Sequence, residues 1–292
     1  MTKILKNKSI TVIYISGDGH SGSTLLDILL GSQKNVFSAG ELNNISREGL
    51  LEEFCSCGEQ LSDCGLWSDI LKKWLIKCSM TIDEYKVLKF RYERNKATLR
   101  LLFNCVFPSK DFIAYCNTTR LLFETIFEVT KCETIIDSSK IPQRILVLKR
   151  IITIKNIHLT RNFGGVLNSA KKSKNKDIKM GYETDISSRR TSKTILDWVV
   201  KNTLVELFKV GVDSKKISYN QFITNSKILL PYNNCLENYT NKRFHSPHMM
   251  AGNALRLKKN IQIFKKPETT KNLTKSQLVI AKLIEFIFPF WN

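Results

Sequence analysis

The stretch ITVIYISGDGHSGSTLLDILL, residues 10–30, sets the expectation for the fold. Ile10 to Ser16 is rich in β-branched and aromatic residues and largely apolar. That pattern predicts a strand buried on both faces of a parallel sheet. Gly17 to Gly22 interrupts it. Ser23 to Leu30 then predicts a helix, with Leu25, Leu26, Leu29 and Leu30 on one face. Strand, glycine-rich turn and helix together open a phosphate-binding α/β fold.

Moving outward, Thr134 to Ile136 predicts a second short strand ending at Asp137. Ile154 to Leu159 predicts a third, ending at Thr160-Arg161, and Lys216 to Tyr219 a fourth. Helical spacing lies between them. Leu71, Trp74, Leu75 and Cys78 form one stripe, and Leu121, Leu122, Thr125, Ile126 and Val129 form another. A further helix is expected over Lys193 to Val210. Such stripes are packing surfaces and carry no functional meaning by themselves. Alternating β and α elements imply an α/β three-layer sandwich, a central parallel sheet flanked by helices and joined by right-handed crossovers. No internal repeat or interdomain linker is visible. Residues 1–292 are therefore expected to form one domain, with a helical insertion on the acceptor side at about 43–130.

The chain has 292 residues, with 46 Lys plus Arg against 26 Asp plus Glu, a formal net charge of +20. At 42% hydrophobic residues there is enough apolar material for a sizeable core, which excludes global disorder. The charge calls for a polyanionic partner or an anionic small molecule. Lys171, Lys172, Lys174, Lys176 and Lys179 form one basic segment, expected to be a solvated loop. No stretch has the roughly 18 to 20 apolar residues needed to span a bilayer. The most apolar window, Leu278 to Trp291, is broken by Lys282, Glu285 and Pro289. Lys3, Lys6 and Lys8 before Ile10 to Ile15 superficially resemble a signal peptide, but the run is short and leads into a glycine-rich loop. A cytoplasmic location is expected. Eight cysteines in such a chain are expected to be reduced thiols. Only Cys55, Cys57 and Cys64 cluster. They could form a disulfide, or hold zinc if Cys78 or a distant His completed four ligands.

The loop Gly17-Asp18-Gly19-His20-Ser21-Gly22-Ser23-Thr24 nearly fits G-x-x-x-x-G-K-[ST], with Ser23 in place of the Lys. Glycines let backbone N–H groups converge on an anion, and the following helix adds its positive N-terminal end. In nucleoside triphosphatases the missing Lys reaches the β- and γ-phosphates, so a triphosphate with magnesium is poorly served here.

His20-Ser21-Gly22-Ser23-Thr24-Leu25-Leu26 resembles the 5′-phosphosulfate loop of sulfotransferases, which use 3′-phosphoadenosine 5′-phosphosulfate (PAPS). Many members carry Arg or Lys where this chain has His20. Ile157-His158-Leu159-Thr160-Arg161, followed eight residues later by Ser169, resembles the segment by which the family holds the cofactor's 3′-phosphate. Gly165-Val166-Leu167-Asn168-Ser169 is similar to its G-V-x-x-S, while Asn162-Phe163-Gly164 departs from the usual turn. The chemistry suits that spacing, because an Arg fork can grip a phosphate at two points and a Ser can add a donor.

Three further segments resemble bacterial and carbohydrate-type members. Ile135 to Lys140 matches a strand end that would bring Lys140 toward the cofactor or acceptor; alternatively, Asp137 or Ser138 caps the next helix. His248 to Arg256 contains a G-N-x-x-R, which by resemblance places Gly252 and Asn253 on the nucleotide and Arg256 near its 3′-phosphate. Cys55 to Trp67 follows a Gly-Glu-Leu segment, as in that group. The resemblance implies a P-loop-like fold and transfer of a sulfuryl group to an acceptor hydroxyl, with no metal required in principle.

Sulfuryl transfer needs a group to take the acceptor's proton. By resemblance Glu41, in Gly40-Glu41-Leu42, is the expected base, and His20 is the competing candidate. His158 lies inside an apolar strand and reads as core. The acceptor is expected to be a small molecule or glycan, bound by residues 43–130 and 175–195, and anionic if the lysine excess serves it. A P-loop kinase or other NTP-dependent enzyme is the alternative. A basic binder of nucleic acid or another polyanion is the third, although no helix-turn-helix, zinc-finger or aromatic RNA-binding signature is present.

Overall fold

Each face of the first strand buries a different set of residues, and this builds the layers. In the computed structural model, which describes residues 3–173, 175, 177, 187–229, 231–232, 243–263 and 270–291, the strands are β1 (Asn7–Gly17), β2 (Val36–Gly40), β3 (Thr134–Lys140), β4 (Ile152–Thr160) and β5 (Asp213–Ser218). They pair in the order β2-β3-β1-β4-β5, and every pairing is parallel. Ile10, Val12 and Tyr14 join one buried cluster with Ile135 and Ile154. Ile13 and Ile15 join another with Ile136, Ile157 and Ile217. The period of two along a strand sends successive side chains to opposite faces, so an unbroken apolar run feeds two cores at once.

Helix α1 (Ser23–Leu30) supplies Leu26, Ile28, Leu29 and Leu30 to the second core. The first core is filled from the segment between β2 and β3. That segment holds α2 (Gly65–Cys78), α3 (Ile82–Tyr92), α4 (Thr98–Val106) and α5 (Lys110–Thr130). Its interior is aromatic: Trp74 meets Tyr85 edge-on at 5.0 Å, and Tyr92 meets Phe112 at 4.9 Å. Burying each such ring is worth roughly 1.5–3 kcal/mol before entropy is counted. Helix α6 (Pro142–Ile151) covers the same face. Helices α7 (Phe163–Ala170), α8 (Thr191–Phe208) and α10 (Lys275–Ile287) pack together around Phe163, Trp198 and Ala281, and α9 (Tyr219–Thr224) follows β5.

The strands differ from expectation most at β2, β3 and β5. Val36–Gly40 is a strand, although five residues are too few to show an alternating pattern. The second expected strand continues through Lys140, because its polar residues are satisfied inside the protein. Arg144 donates from Nε to Asp137 Oδ2 at 2.7 Å and from Nη1 to Glu93 Oε1 at 3.0 Å, and all three residues are buried. Asp137 therefore does not cap α6, whose N-cap is Ile141 followed by Pro142. Tyr219 begins α9 instead of ending β5.

The topology fixes where a ligand can sit. From β1 the chain moves to β2 and β3 on one side, then crosses to β4 and β5 on the other. The reversal leaves a crevice at the carboxyl ends of β1, β3 and β4, where open α/β sheets bind ligands. Among the described residues, no helix is long and apolar enough to cross a membrane. Lys174, Lys176, Lys179, Cys235 and residues 178–186 of the expected acceptor region lie outside the described residues.

Candidate functional site

The loop after β1 leads directly into α1, whose N-cap Gly22 has φ 90° and no side chain capping the helix. The first-turn N–H groups thus have no partner within the helix and face the crevice. Only glycine serves at position 22. A Cβ there would lie 2.6 Å from the Tyr219 ring, in a left-handed conformation that L side chains rarely adopt. His20 and Lys140, at φ 64° and 67°, also hold left-handed backbone. Such geometry in non-glycine residues gathers at ligand sites.

A cavity of about 370 Å³ opens over this loop. His20, Gly22, Ser23, Thr24, Glu41, Lys140, Arg161, Ser169 and Asn253, all expected from sequence, line it. Two further residues line it that sequence reasoning did not name, Arg189 and Tyr219. Tyr219 directly follows β5, so the rule that ligands gather at strand carboxyl ends could have flagged it. Arg189 falls in the segment assigned to acceptor variation, and nothing local marks it.

Lys140 ends β3 and Arg161 follows β4, so the two cations flank the loop on opposite sides of β1. On the β4 side, Arg161 Nη1 donates to the His20 carbonyl at 2.8 Å, and its guanidinium lies 4.5 Å from the centre of the Tyr219 ring. Ser169 Oγ lies 3.2 Å from His20 Nδ1. On the β3 side, Lys140 Nζ pairs with Glu41 Oε1. Asn253 N donates to Thr24 Oγ1 at 3.2 Å, and Glu41 N donates to Ala251 O at 3.1 Å. Gly252, at φ 143°, lies beside Thr24, where a Cβ would sit 3.4 Å from Thr24 Oγ1, an ordinary contact.

Electrostatics make this crevice suited to an anion. Burial, reinforced by the nearby positive charge of Arg189, lowers the His20 pKa to about 4. The imidazole is therefore neutral at physiological pH and offers one donor and one acceptor. Below the loop, burial pushes the Asp27 carboxyl up to about 7, where Ser38 Oγ donates to its Oδ1 at 2.5 Å.

Three expected residues do not line the cavity: Ser21, Arg256 and Gly252, the last lying beside Thr24 at its edge. Ser21 is buried within the loop and does not line the cavity. Arg256 is 1% exposed, and its Nη1 donates to Gly252 O at 2.7 Å and its Nη2 to Phe54 O at 3.3 Å. It therefore clamps the backbone that carries Gly252, and its guanidinium is directed at carbonyls instead of the cavity. His158 is core, as expected, between Glu206 Oε1 at 2.7 Å and Asn202 Oδ1 at 2.9 Å.

Outside the cavity, the clustered cysteines meet a histidine. Cys55, Cys57, Cys64 and His248 hold their ligating atoms within 4.8 Å of one another. Cys78 does not join them; its Sγ lies against the carbonyls of Leu75 and Met80. The three cysteines are free thiols, not a disulfide.

No family model and no curated protein matches the chain. Among solved structures, it is similar to a sulfotransferase domain from the curacin biosynthetic pathway, with a TM-score of 0.46 and 16% identity over 96% of this chain and 98% of that one. It is also similar to a sulfotransferase domain from the Synechococcus PCC 7002 olefin synthase, with a TM-score of 0.40 and 17% identity over 81% of this chain and 75% of that one.

Proposed function

We propose that the chain is a sulfotransferase that moves a sulfuryl group from 3′-phosphoadenosine 5′-phosphosulfate to an acceptor hydroxyl. One observation carries this: Arg161 and Ser169, eight residues apart, meet at His20 of the glycine-rich loop within a single cavity. The donor set fits a nucleotide bearing two separate anionic groups. The open N-terminal turn of α1 suits the 5′-phosphosulfate, and the Arg161 fork with the Ser169 hydroxyl suits the 3′-phosphate.

PAPS supplies an activated sulfuryl group on its 5′-phosphate, and the chain supplies the rest. Glu41 takes the proton of the acceptor hydroxyl. Lys140, paired with Glu41, would offer its ammonium to the charge developing on the bridging oxygen of the leaving 5′-phosphate. The first-turn N–H groups of α1 and the neutral His20 ring hold the sulfuryl oxygens. His20 is the weaker candidate for the base, because it is engaged with Ser169 on the β4 side. The acceptor approaches from the segment between β2 and β3; a carbohydrate hydroxyl is the first class to try.

Incubation with sulfur-labelled PAPS and a panel of carbohydrate, lipid, phenol and peptide acceptors tests this. Label transferred to one acceptor class, with equimolar 3′,5′-adenosine bisphosphate released, is expected. Phosphoryl transfer from ATP in the same panel would replace the proposal with the kinase alternative.

A further inference from the structure

We propose that Cys55, Cys57, Cys64 and His248 bind one zinc ion in a closed, tetrahedral, structural site. This stands apart from the sulfotransferase proposal and does not depend on it. The donor set is three thiols and one imidazole nitrogen, a common structural zinc combination. The ligand atoms already lie near the spacing of a filled site, and binding would draw them in by a few tenths of an ångström or more. Zn–S bonds of about 2.3 Å and Zn–N bonds of about 2.0 Å at tetrahedral angles put sulfur and nitrogen ~3.5 Å apart and two sulfurs ~3.8 Å apart. His248 Nδ1 lies 3.5 Å from Cys64 Sγ and 3.9 Å from Cys55 Sγ, and no pair in the cluster exceeds 4.8 Å.

The surroundings hold these side chains in place. Gly58 N donates to Cys55 O at 3.0 Å and Gly58 has φ 100°, so the Cys55-Ser56-Cys57-Gly58 turn directs two sulfurs to one point. Cys64 is the N-cap of α2, so the helix start fixes the position of its side chain. Trp67 Nε1 donates to the His248 carbonyl at 2.7 Å. Ser56 Oγ donates to Ser246 O at 2.5 Å and accepts from Met249 N at 2.7 Å. Cys55 and Cys64 are almost fully buried, whereas Cys57 and His248 are half-buried, which leaves an entry path for the ion.

Four protein ligands leave no open position, so the ion is structural. It would join residues 184 apart in sequence, from Cys64 to His248. The fastened segment continues into Ala251, which accepts from Glu41 N, and Asn253, which donates to Thr24. Zinc would thereby hold one wall of the cavity against the loop.

The full chain, purified without added metal or chelator, should contain one zinc per chain by elemental analysis. Titrating the thiols with p-hydroxymercuriphenylsulfonate in the presence of 4-(2-pyridylazo)resorcinol should release it. Cobalt substitution should give sulfur-to-cobalt charge-transfer absorption. Cys57→Ser should lose the metal, His248→Cys should keep it, and Cys78→Ser, outside the cluster, should also keep it. Because Cys57→Ser could fail to fold, X-ray absorption of the unmodified protein serves as the second measurement, with three sulfurs and one nitrogen expected around zinc. A metal-free folded chain that takes up neither zinc nor cobalt overturns the proposal. So do a disulfide within the cluster, iron in place of zinc, or zinc bound without sulfur ligands.

Discussion

The Ser169 hydroxyl lies 3.2 Å from Nδ1 of His20, which joins the helix after β4 to the loop after β1. Arg161 reaches the same residue from the other direction, donating to the His20 carbonyl at 2.8 Å. The two residues proposed to hold a 3′-phosphate thus already rest on the loop proposed to hold the 5′ end.

If both face the nucleotide, their losses should differ in size. Hydrogen bonds to a charged group are worth about 1.5–3 kcal/mol each. Arg161→Ala should therefore weaken binding of 3′,5′-adenosine bisphosphate about 100-fold, and Ser169→Ala about 10-fold. Isothermal titration of the variants checks this. Unchanged affinity in both would remove them from the nucleotide site.

Glu41→Gln keeps the shape of the side chain but removes a proton acceptor and its ion pair with Lys140. Turnover should fall about 100- to 10,000-fold, the usual contribution of a general base, while affinity for the bisphosphate stays within a few-fold. Full activity in Glu41→Gln would return the base assignment to His20 or to water.

Arg256 should behave in the opposite sense. Its buried guanidinium holds the carbonyls of Gly252 and Phe54. Arg256→Gln should destabilise the fold by about 2–6 kcal/mol, the cost of leaving two buried carbonyls without their hydrogen bonds. The salt dependence of nucleotide binding should not change, since the charge does not face the ligand. Chemical denaturation and titration at two salt concentrations separate the effects. A reduced salt slope with unchanged stability would return Arg256 to the 3′-phosphate.

Asp27 gives a pH dependence with a definite sign. Burial raises its folded pKa to about 7 from the ordinary 3.8, so between these values the folded chain binds more protons than the unfolded one. Its contribution to stability therefore falls as pH rises through that window, by up to about 4 kcal/mol. Asp27→Asn keeps an acceptor for the Ser38 hydroxyl and removes the titration. Relative to the unsubstituted chain, it should be more stabilising at pH 8 than at pH 5 in urea unfolding. A difference that does not change with pH would contradict the buried-carboxyl account.

The part of the site legible in sequence is the part built from contiguous residues. Ile10 to Leu30 encodes strand, loop and helix within one stretch, and Arg161 with Ser169 spans a single strand-to-helix turn. What escaped depends on distant partners. Asp137, Ser138 and Ser139 look like a strand end or a helix cap because their polarity is visible and Arg144's buried charge is not; the strand in fact runs through them to Lys140. Arg256 resembled a phosphate ligand by its position after Gly-Asn, but the carbonyls it meets come from Gly252 and from Phe54, far back in the chain. The fourth member of the cysteine cluster is likewise a histidine that only the fold brings to it. Arg189 enters the cavity from a segment with no local signal.

The most direct test of the proposed function is a calorimetric comparison of 3′,5′-adenosine bisphosphate with ATP and magnesium on the unmodified chain. Tight binding of the bisphosphate and weak binding of ATP are expected, because Ser23 stands where a triphosphate site needs Lys, while Arg161 and Ser169 suit a 3′-phosphate. A preference for ATP with magnesium would contradict the account.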